Sequence, residues 1–156
     1  VDGAFRDESE ELTRIMMQLQ KKYDYILIDM PPSYGFYEKT ILSFCDEIIP
    51  IIEPEDFAME SLRKFTEKLR KLKQFSQAKY DVKNLIINKY DKNNKVHNHW
   101  LGLLEQSPFK TYLLKTSKAI SSSTYMHMVM QEYMPSNDMC KMFSDLAEAL
   151  NSTENN

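Results

Sequence analysis

Glycine, cysteine and long apolar runs are scarce in this 156-residue sequence. Its only glycines are Gly3, Gly35 and Gly102, so it contains no GxxxxGK[ST] loop of the kind whose backbone N–H groups cradle phosphates. The two cysteines, Cys45 and Cys140, lie far apart without a second ligand nearby, which disfavours a metal site or a disulfide and indicates two buried, reduced thiols. No apolar run approaches the roughly 18 residues of a membrane span. No secretory signal opens the chain, so we expect a cytoplasmic protein.

Charge is unevenly distributed in an otherwise ordinary composition. Apolar residues make up 42% and charged residues 28%, which is typical of a globular protein, and the length predicts a single domain over residues 1–156. Residues 62–95 contain eleven basic and three acidic residues, a net charge of +8, whereas the whole chain carries −3 and the remainder therefore −11. A basic segment inside an acidic protein predicts an anionic partner for one face.

The stretch YDYILIDMPPSYG, residues 23–35, is the feature around which we interpret the rest. Its apolar run at residues 25–28 is typical of a strand buried on both faces, the inner strand of a parallel sheet. Pro31 and Pro32 cannot continue a strand ladder, so the strand is predicted to end at Asp29. An Asp at that position is suited to bind a ligand, because open α/β sheets bind ligands at the carboxyl ends of their strands. The alternative is an Asp that caps a turn.

Three more apolar runs predict strands, at residues 48–52, 84–88 and 111–114, and helical patterns separate all four. This alternation predicts an α/β fold with a three-layer, mostly parallel sheet and crossover helices. One such helix buries Leu62, Phe65, Leu69 and Leu72, and its opposite face carries the basic residues of segment 63–71. That basic face is either a solvated surface or a DNA contact.

The first three predicted strands end at Asp29, Glu53 and Asn88. In a parallel sheet these ends share one edge. An Asp at this edge can hold Mg²⁺ through water, and an Asn can both donate to and accept from a base. These residues predict part of a nucleotide site.

Four segments resemble the ParA/Soj-type partition ATPases, in that family's order and spacing. YDYILIDMPPSYG is similar to the family's second acidic motif, and DEIIPIIEPEDFAMESL at 46–62 resembles the segment that follows. NLIINKYDKNN at 84–94 is similar to the strand and loop that reach the adenine. LLKTSKAISSSTYMHMVMQEYMPSNDMCKMFSDLAEAL at 113–150 resembles the family's ending, so the resemblance covers about residues 20–150.

The resemblance implies roles for individual residues. Asp29 would bind Mg²⁺ through water, and Tyr34 with Gly35 would lie at the family's second switch. The residues implied in binding ATP are Asp29, Asn88, Lys89, Leu114, Lys115 and Thr116. Nonspecific DNA binding is implied for Lys92, Lys95 and Lys118. In the intact protein the resemblance further implies ATP and Mg²⁺ as cofactors, a homodimer, a ParB-like partner and association with the bacterial nucleoid.

The sequence lacks several motifs of the family. The family's phosphate loop, signature lysines and first-switch catalytic Asp would precede Val1, so we expect a P-loop NTPase-like fold of the deviant Walker type without its first βα unit. Such a chain would have no catalytic residues, and whether it is an ATPase is left open. It could be a fragment, a truncated reading frame or a degenerate paralogue, and the exposed inner sheet edge favours a fragment. The related MinD branch ends in a basic amphipathic helix, which this sequence lacks, so no membrane partner is predicted.

A second hypothesis is a non-enzymatic DNA- or protein-binding module derived from the same fold. Other polar residues are interpreted more simply. His97 and His99 are predicted to be surface residues, and Trp100 a core anchor. The hydroxyl-rich run 121–124 is predicted to be a turn with local caps, and Ser136 to cap the last helix.

Overall fold

The computed structural model describes residues 2–31, 35–75 and 78–152. The predicted switch residue Tyr34, with Pro32 and Ser33 of the same motif, lies outside the described residues. The chain divides into two compact units. The sheet unit comprises Ile49–Lys64 and Val82–Asn156, and the helical unit comprises Val1–Ile48 and Phe65–Asp81.

The sheet unit is built on three parallel strands in the order β1-β2-β3. They are β1 (Ile51–Ile52), β2 (Asn84–Tyr90) and β3 (Lys110–Lys115). Ile51 pairs with Ile86, and Ile86 in turn with Tyr112, which confirms the predicted parallel α/β arrangement. β1 is shorter than predicted, and just before it the Ile86 N–H donates to the Pro50 carbonyl at 3.0 Å. Pro50 has no N–H to donate in return.

The central strand β2 is buried on both faces. Leu85 and Ile87 are fully buried on one face, in a cluster with Leu62 and Leu104. Ile86 points to the other face and packs with Leu114, Met130, Met139 and Cys140. Because successive side chains of a strand alternate between faces, a continuous apolar run is required at such a position. The continuous run at 84–88 correctly predicted this strand.

Helices flank these strands in the sheet unit: α4 (Lys95–Leu104), α5 (Lys118–Tyr125), α6 (Met130–Tyr133) and α7 (Asp138–Ser152). Polar side chains cap three of them. The side chains of Asn94, Ser117 and Asn137 accept the N–H groups of Val96, Ala119 and Met139, respectively. The last helix is therefore capped by Asn137, and the prediction of Ser136 is wrong by one residue.

The hydroxyl-rich run also differs from its prediction, because it lies inside α5 rather than in a turn. Ser122 donates to the Lys118 carbonyl, and Thr124 donates to the Ile120 carbonyl. These hydroxyls therefore bond back to their own helix, which removes the need for a turn.

The helical unit contains α1 (Asp2–Gln20), α2 (Phe36–Leu42) and residues 65–75 of α3 (Asp56–Phe75). Its most buried side chains are Leu69 and Tyr80, each 1% exposed. The Tyr80 hydroxyl donates to the Leu69 carbonyl at 2.7 Å, and the Tyr80 carbonyl accepts the Lys73 ammonium at 2.8 Å. The buried hydroxyl is thus satisfied by the carbonyl of the helix against which its ring packs.

The strand predicted at residues 25–28 does not form, so this prediction is wrong. The segment has no regular secondary structure, and Leu27 is 96% exposed. A strand is stabilised by pairing with a neighbour, whereas the three described strands belong to the sheet unit and residues 25–28 to the helical unit. The described residues of its own unit contain no strand with which this segment could pair.

Candidate functional site

A β-bulge lies at the carboxyl end of β2, where the sequence places its predicted adenine-binding residues. Ile87 pairs with Leu113 and Tyr90 with Lys115, so two residues of β2, Asn88 and Lys89, oppose the single Leu114 of β3. Lys89 adopts the left-handed conformation with φ 52°. Non-glycine residues rarely adopt it, and such strained positions cluster at functional sites.

The bulge holds Lys89 between the ends of both neighbouring strands. Its ammonium lies 2.6 Å from the carboxylate of Glu53, which follows β1. Its carbonyl accepts the Thr116 hydroxyl, just beyond β3, at 3.3 Å. Glu53 raises the pKa of Lys89, chiefly through their hydrogen bond and their charge attraction. The sequence did not predict this ion pair, although the predicted strand ends placed Glu53 and Asn88, the residue before Lys89, at one edge.

Asn88 precedes Lys89 at this edge and is half-buried. On β3, Leu114 is buried, while Lys115 and Thr116 are exposed. The structure therefore brings together, at the carboxyl edge of one sheet, five of the six residues expected to bind ATP. The arrangement offers an amide, a hydroxyl and backbone groups to a flat polar ligand.

The loop after β2 is held by the first turns of α4. The Asp91 N–H donates to Nδ1 of His97 at 3.0 Å, and the Asn98 amide donates to the Lys92 carbonyl at 2.8 Å. The Tyr90 hydroxyl donates to Asn98 at 2.6 Å. His97 is half-buried and works as an acceptor, so it is more than the surface residue predicted from the sequence.

Trp100 of α4 is likewise not a simple core anchor. Its indole N–H donates to the Asp56 carboxylate at the start of α3, at 2.8 Å. This bond ties the first turn of α3 to α4 within the sheet unit.

Three lysines beside this edge are exposed. Lys92 lies in the loop after β2, Lys95 is the first residue of α4, and Lys118 is the first residue of α5. None of them belongs to an ion pair within the described part of the chain. A cation at a helix N-terminus opposes the helix dipole. Lys95 and Lys118 therefore stand where helix stability alone disfavours lysine.

The basic face of α3 differs, because acids on the same helix pair with its cations. Glu60 binds both Arg63 and Lys64, at 3.0 and 3.3 Å, and Glu67 binds Lys71 at 3.1 Å. Among the described residues, ion pairs therefore neutralise cations on the basic face of α3, but not on the surface formed by Lys92, Lys95 and Lys118.

The Glu60 pairs predict a pH dependence. Bonding to Arg63 and then to Lys64 lowers the pKa of Glu60 to about 2. The group therefore stabilises the folded chain fully above its ordinary pKa of 4.5, and this contribution is lost as the pH falls toward 2. Thermal unfolding followed by circular dichroism should show a constant gap between wild type and Glu60→Gln above pH 5 that closes near pH 2. The gap should shrink in 1 M salt, where the screening length is about 3 Å; a gap that ignores both pH and salt contradicts the ion-pair explanation.

Asp29, the predicted magnesium ligand, is exposed and belongs to the helical unit. That Asp29 lies at the same sheet edge as Glu53 and Asn88 therefore remains a prediction. Among the described residues, no group of three or more His, Cys, Asp or Glu side chains could hold a metal ion. Cys45 and Cys140 are free cysteines; Cys140 is buried, as predicted, whereas Cys45 is half-buried.

The residues at the sheet edge fit only part of ATP. An amide and a hydroxyl suit the edge of a base. A triphosphate is bound by several converging backbone N–H groups, and the sequence has no glycine-rich loop to supply them. The described edge is therefore suited to the base and not to the phosphates.

Comparison with known proteins shows the family to which the chain belongs. A family model described as "AAA domain" matches residues 4–83, just over half of the chain. The chain belongs to this family.

Its curated relatives define the branch more closely. The chain is 24% identical over 104 residues to a "ParA family protein" of Mycoplasma pneumoniae, covering 66% of this chain and 37% of that protein. It is 25% identical over 91 residues to "Chromosome-partitioning ATPase Soj" of Treponema pallidum, covering 58% and 36%, respectively. An uncharacterized protein of Methanocaldococcus jannaschii is 32% identical over 97 residues, covering 62% and 38%. The chain is a ParA-family partition ATPase-like protein that spans less than two fifths of the length of these relatives.

No solved structure matches the chain. None of the helices in the described ranges combines the length and hydrophobicity needed to cross a bilayer.

Proposed function

We propose that this chain is the base-binding and DNA-contacting part of a ParA-type ATPase that serves plasmid or chromosome partition. The observation that carries the proposal is the bulged sheet edge, which presents Asn88 and Thr116 beside exposed lysines in a chain of this family. In the intact protein, ATP and Mg²⁺ would close a homodimer that binds DNA nonspecifically and meets a ParB-like partner. The protein would act in the bacterial cytoplasm, on the nucleoid.

In this proposal the described edge binds the base. Asn88 pairs with the adenine edge, while Leu114, Lys115 and Thr116 flank it from β3. Asp29 holds Mg²⁺ through water. The chain alone does not hydrolyse ATP, because its sequence supplies no phosphate loop.

The base-binding role can be tested by nuclear magnetic resonance on the 156-residue chain. Titration with AMP should shift the backbone amide signals of Asn88, Lys115 and Thr116, whereas GMP should leave them in place. Equal shifts with both nucleotides, or none with either at saturating concentration, would contradict adenine recognition at this edge.

The DNA-binding role rests on Lys92, Lys95 and Lys118. They are exposed, carry no ion pair among the described residues, and in two cases occupy helix starts that disfavour lysine. A phosphate at such a helix start would be favoured both by the lysine and by the helix dipole. Contact with DNA phosphates would therefore explain why lysine occurs at these positions.

Replacing these lysines should weaken DNA binding and flatten its salt dependence. If all three contact phosphates, a plot of log K against log salt for duplex DNA should have a slope of about −2.7. Each single change to Gln should make the slope less negative by about 0.9. Fluorescence anisotropy at several salt concentrations measures both quantities.

A matched control is Lys141→Gln, which removes one exposed positive charge from α7. It should leave the slope within experimental error of wild type. If Lys141→Gln flattens the slope as much as Lys92→Gln does, binding depends on net charge and the three-lysine surface is not the DNA site.

A second candidate function is a non-enzymatic binding module that retains the DNA surface and has lost the nucleotide. The Glu53–Lys89 ion pair favours it, because it occupies one cation of the sheet edge. Salt-dependent DNA binding without any nucleotide-induced shift would identify this second function. Micromolar binding of an ATP analogue with Mg²⁺ would exclude it.

A further inference from the structure

The bulge in β2 changes which side chains of the strand reach the core. Leu85 and Ile87 pack in one cluster, and a regular strand would place Lys89 next on the same face. Because the bulge adds one residue, Tyr90 packs against that cluster instead, and Lys89 is exposed. A regular strand without Lys89 would also bring Tyr90 to this face, directly after Asn88. The core therefore does not require the extra residue.

The extra residue is held in an unfavourable conformation by contacts on both sides. Lys89 has φ 52°, in the left-handed region that is costly for a lysine. Its ammonium pairs with Glu53 at 2.6 Å, and its carbonyl accepts the Thr116 hydroxyl at 3.3 Å. Glu53 is itself fixed, because the next residue, Pro54, is fully buried and the Glu55 N–H donates to the Glu53 carbonyl at 2.8 Å. Such strain persists where the surroundings stabilise it, and it clusters at functional sites.

The bulge also sets the direction of the Asn88 side chain. In the structure Asn88 and Lys89 together oppose Leu114. In a regular strand Asn88 alone would pair with Leu114 and would take the face of Ile86, which the second core cluster covers. β-Bulges are frequent next to active sites, where they redirect a side chain. Removing the extra residue is therefore expected to redirect the amide and to leave the core in place.

We propose that Lys89 is a positioning residue, which as the extra residue of the bulge orients the Asn88 amide at the sheet edge. The backbone conformation of Lys89 performs this role, and its ammonium group stabilises that conformation through Glu53. A lysine that contacted the ligand itself would need its ammonium for that contact. The inference rests on the proposed base-binding function, and it gives Lys89 a role other than direct contact with ATP.

The first test compares Lys89→Gly with Lys89→Val in the 156-residue chain. Both changes remove the ammonium group, but glycine adopts the left-handed conformation at little cost, whereas a β-branched residue strongly disfavours it. Titration with AMP, followed by the amide signals of Lys115 and Thr116, should give a dissociation constant about tenfold lower for Lys89→Gly than for Lys89→Val. If Lys89 contacted AMP through its ammonium, both variants would bind equally weakly. If the bulge served stability alone, they would differ in their unfolding midpoints and bind AMP equally, so equal dissociation constants overturn the proposal.

Deletion of Lys89 is the second test, because it removes the bulge and keeps the packing of the core. Tyr90 would still reach the face of Leu85 and Ile87, so the midpoint of urea unfolding should not fall below that of wild type. The binding of AMP should nevertheless weaken about tenfold or more, because the Asn88 amide turns to the covered face. A folded deletion variant that binds AMP as wild type does would contradict the proposal. If the deletion variant does not fold, the comparison of Lys89→Gly with Lys89→Val decides.

Lys110 provides the matched control, since it is an exposed lysine at the start of β3, and its φ is not positive. Lys110→Val should be at least as stable as Lys110→Gly, the reverse of the order at Lys89, because glycine weakens an ordinary strand. Both control variants should bind AMP as wild type does, and a tenfold difference between them would overturn the proposal. A wild type that does not bind AMP refutes the proposed function together with this inference. A wild type that binds AMP, with equal binding by Lys89→Gly and Lys89→Val, refutes this inference alone.

Discussion

Replacing Ile87 by Ala is expected to lower the free energy of unfolding by about 3–4 kcal/mol, within the usual range for an Ile-to-Ala change in a core. Ile87 is 0% exposed and packs in the cluster of Leu62, Leu85 and Leu104. Truncation there loses transfer energy and leaves a cavity between β2 and the helices that cover it. Since domains are stable by only about 5–15 kcal/mol, this single change should remove a large share of the stability. Urea unfolding followed by the fluorescence of Trp100, the only tryptophan, measures it in the sheet unit.

Ile51→Ala is the matched control, because it makes the same chemical change on the neighbouring strand. Ile51 pairs with Ile86 but is 65% exposed. Its replacement should have an effect of about 1 kcal/mol or less, mainly from β-propensity. Comparable losses at both positions would mean that β2 is not the buried centre of the sheet unit. The proposed base-binding edge would then lack its support, because Asn88 directly follows Ile87.

The two apolar runs that looked most alike in the sequence show what local pattern can and cannot predict. Residues 84–88 form a strand, whereas residues 25–28 do not. Both have the continuous apolar character of a strand buried on two faces. What differs is the presence of partners, since β2 has β1 and β3 on either side. The apolar pattern of a segment can be seen in the local sequence, but strand pairing depends on distant segments.

The candidate site was predictable to a similar degree. Strand alternation places the ends of β1, β2 and β3 at one edge, so the position of Glu53, Asn88 and Thr116 at a shared edge could be expected. The bulge could not, because its usual sequence sign is a glycine and the left-handed residue here is Lys89. The bulge in turn sets the ion pair of Lys89 with Glu53. Backbone irregularities of this kind arise from the register between strands, which no single segment encodes.

The cap of α4 was readable in principle, since Asn94 directly precedes the helix and polar residues surround it. The bond from Asp91 to His97 was not, because it depends on how the loop folds back onto the helix. These contacts orient the segment that carries Lys92 and Lys95. The position of the proposed DNA surface is therefore a consequence of tertiary bonds, while its charge is visible in the sequence.

Replacing Asn88 by Ala is expected to weaken the binding of AMP about tenfold or more. A side-chain amide can make two hydrogen bonds to an adenine edge, and each neutral bond contributes about 0.5–1.5 kcal/mol. A loss of about 1.4 kcal/mol corresponds to a tenfold change in affinity. Asn88→Asp keeps the size and the acceptor but removes the donor and adds a negative charge, so it should weaken the binding of AMP at least as much. Titration of the amide signals of Lys115 and Thr116 reports binding from β3, independently of the altered residue.

Asn93→Ala is the control for Asn88→Ala, because it removes an exposed amide from the neighbouring loop. Asn93 bonds to Asp91 through its backbone N–H, and this bond survives the change. The variant should therefore bind AMP as wild type does. If Asn88→Ala binds AMP normally while its unfolding midpoint matches wild type, adenine is not bound by Asn88. The base-binding half of the proposed function would then fail, and salt-dependent DNA binding would point to the non-enzymatic module.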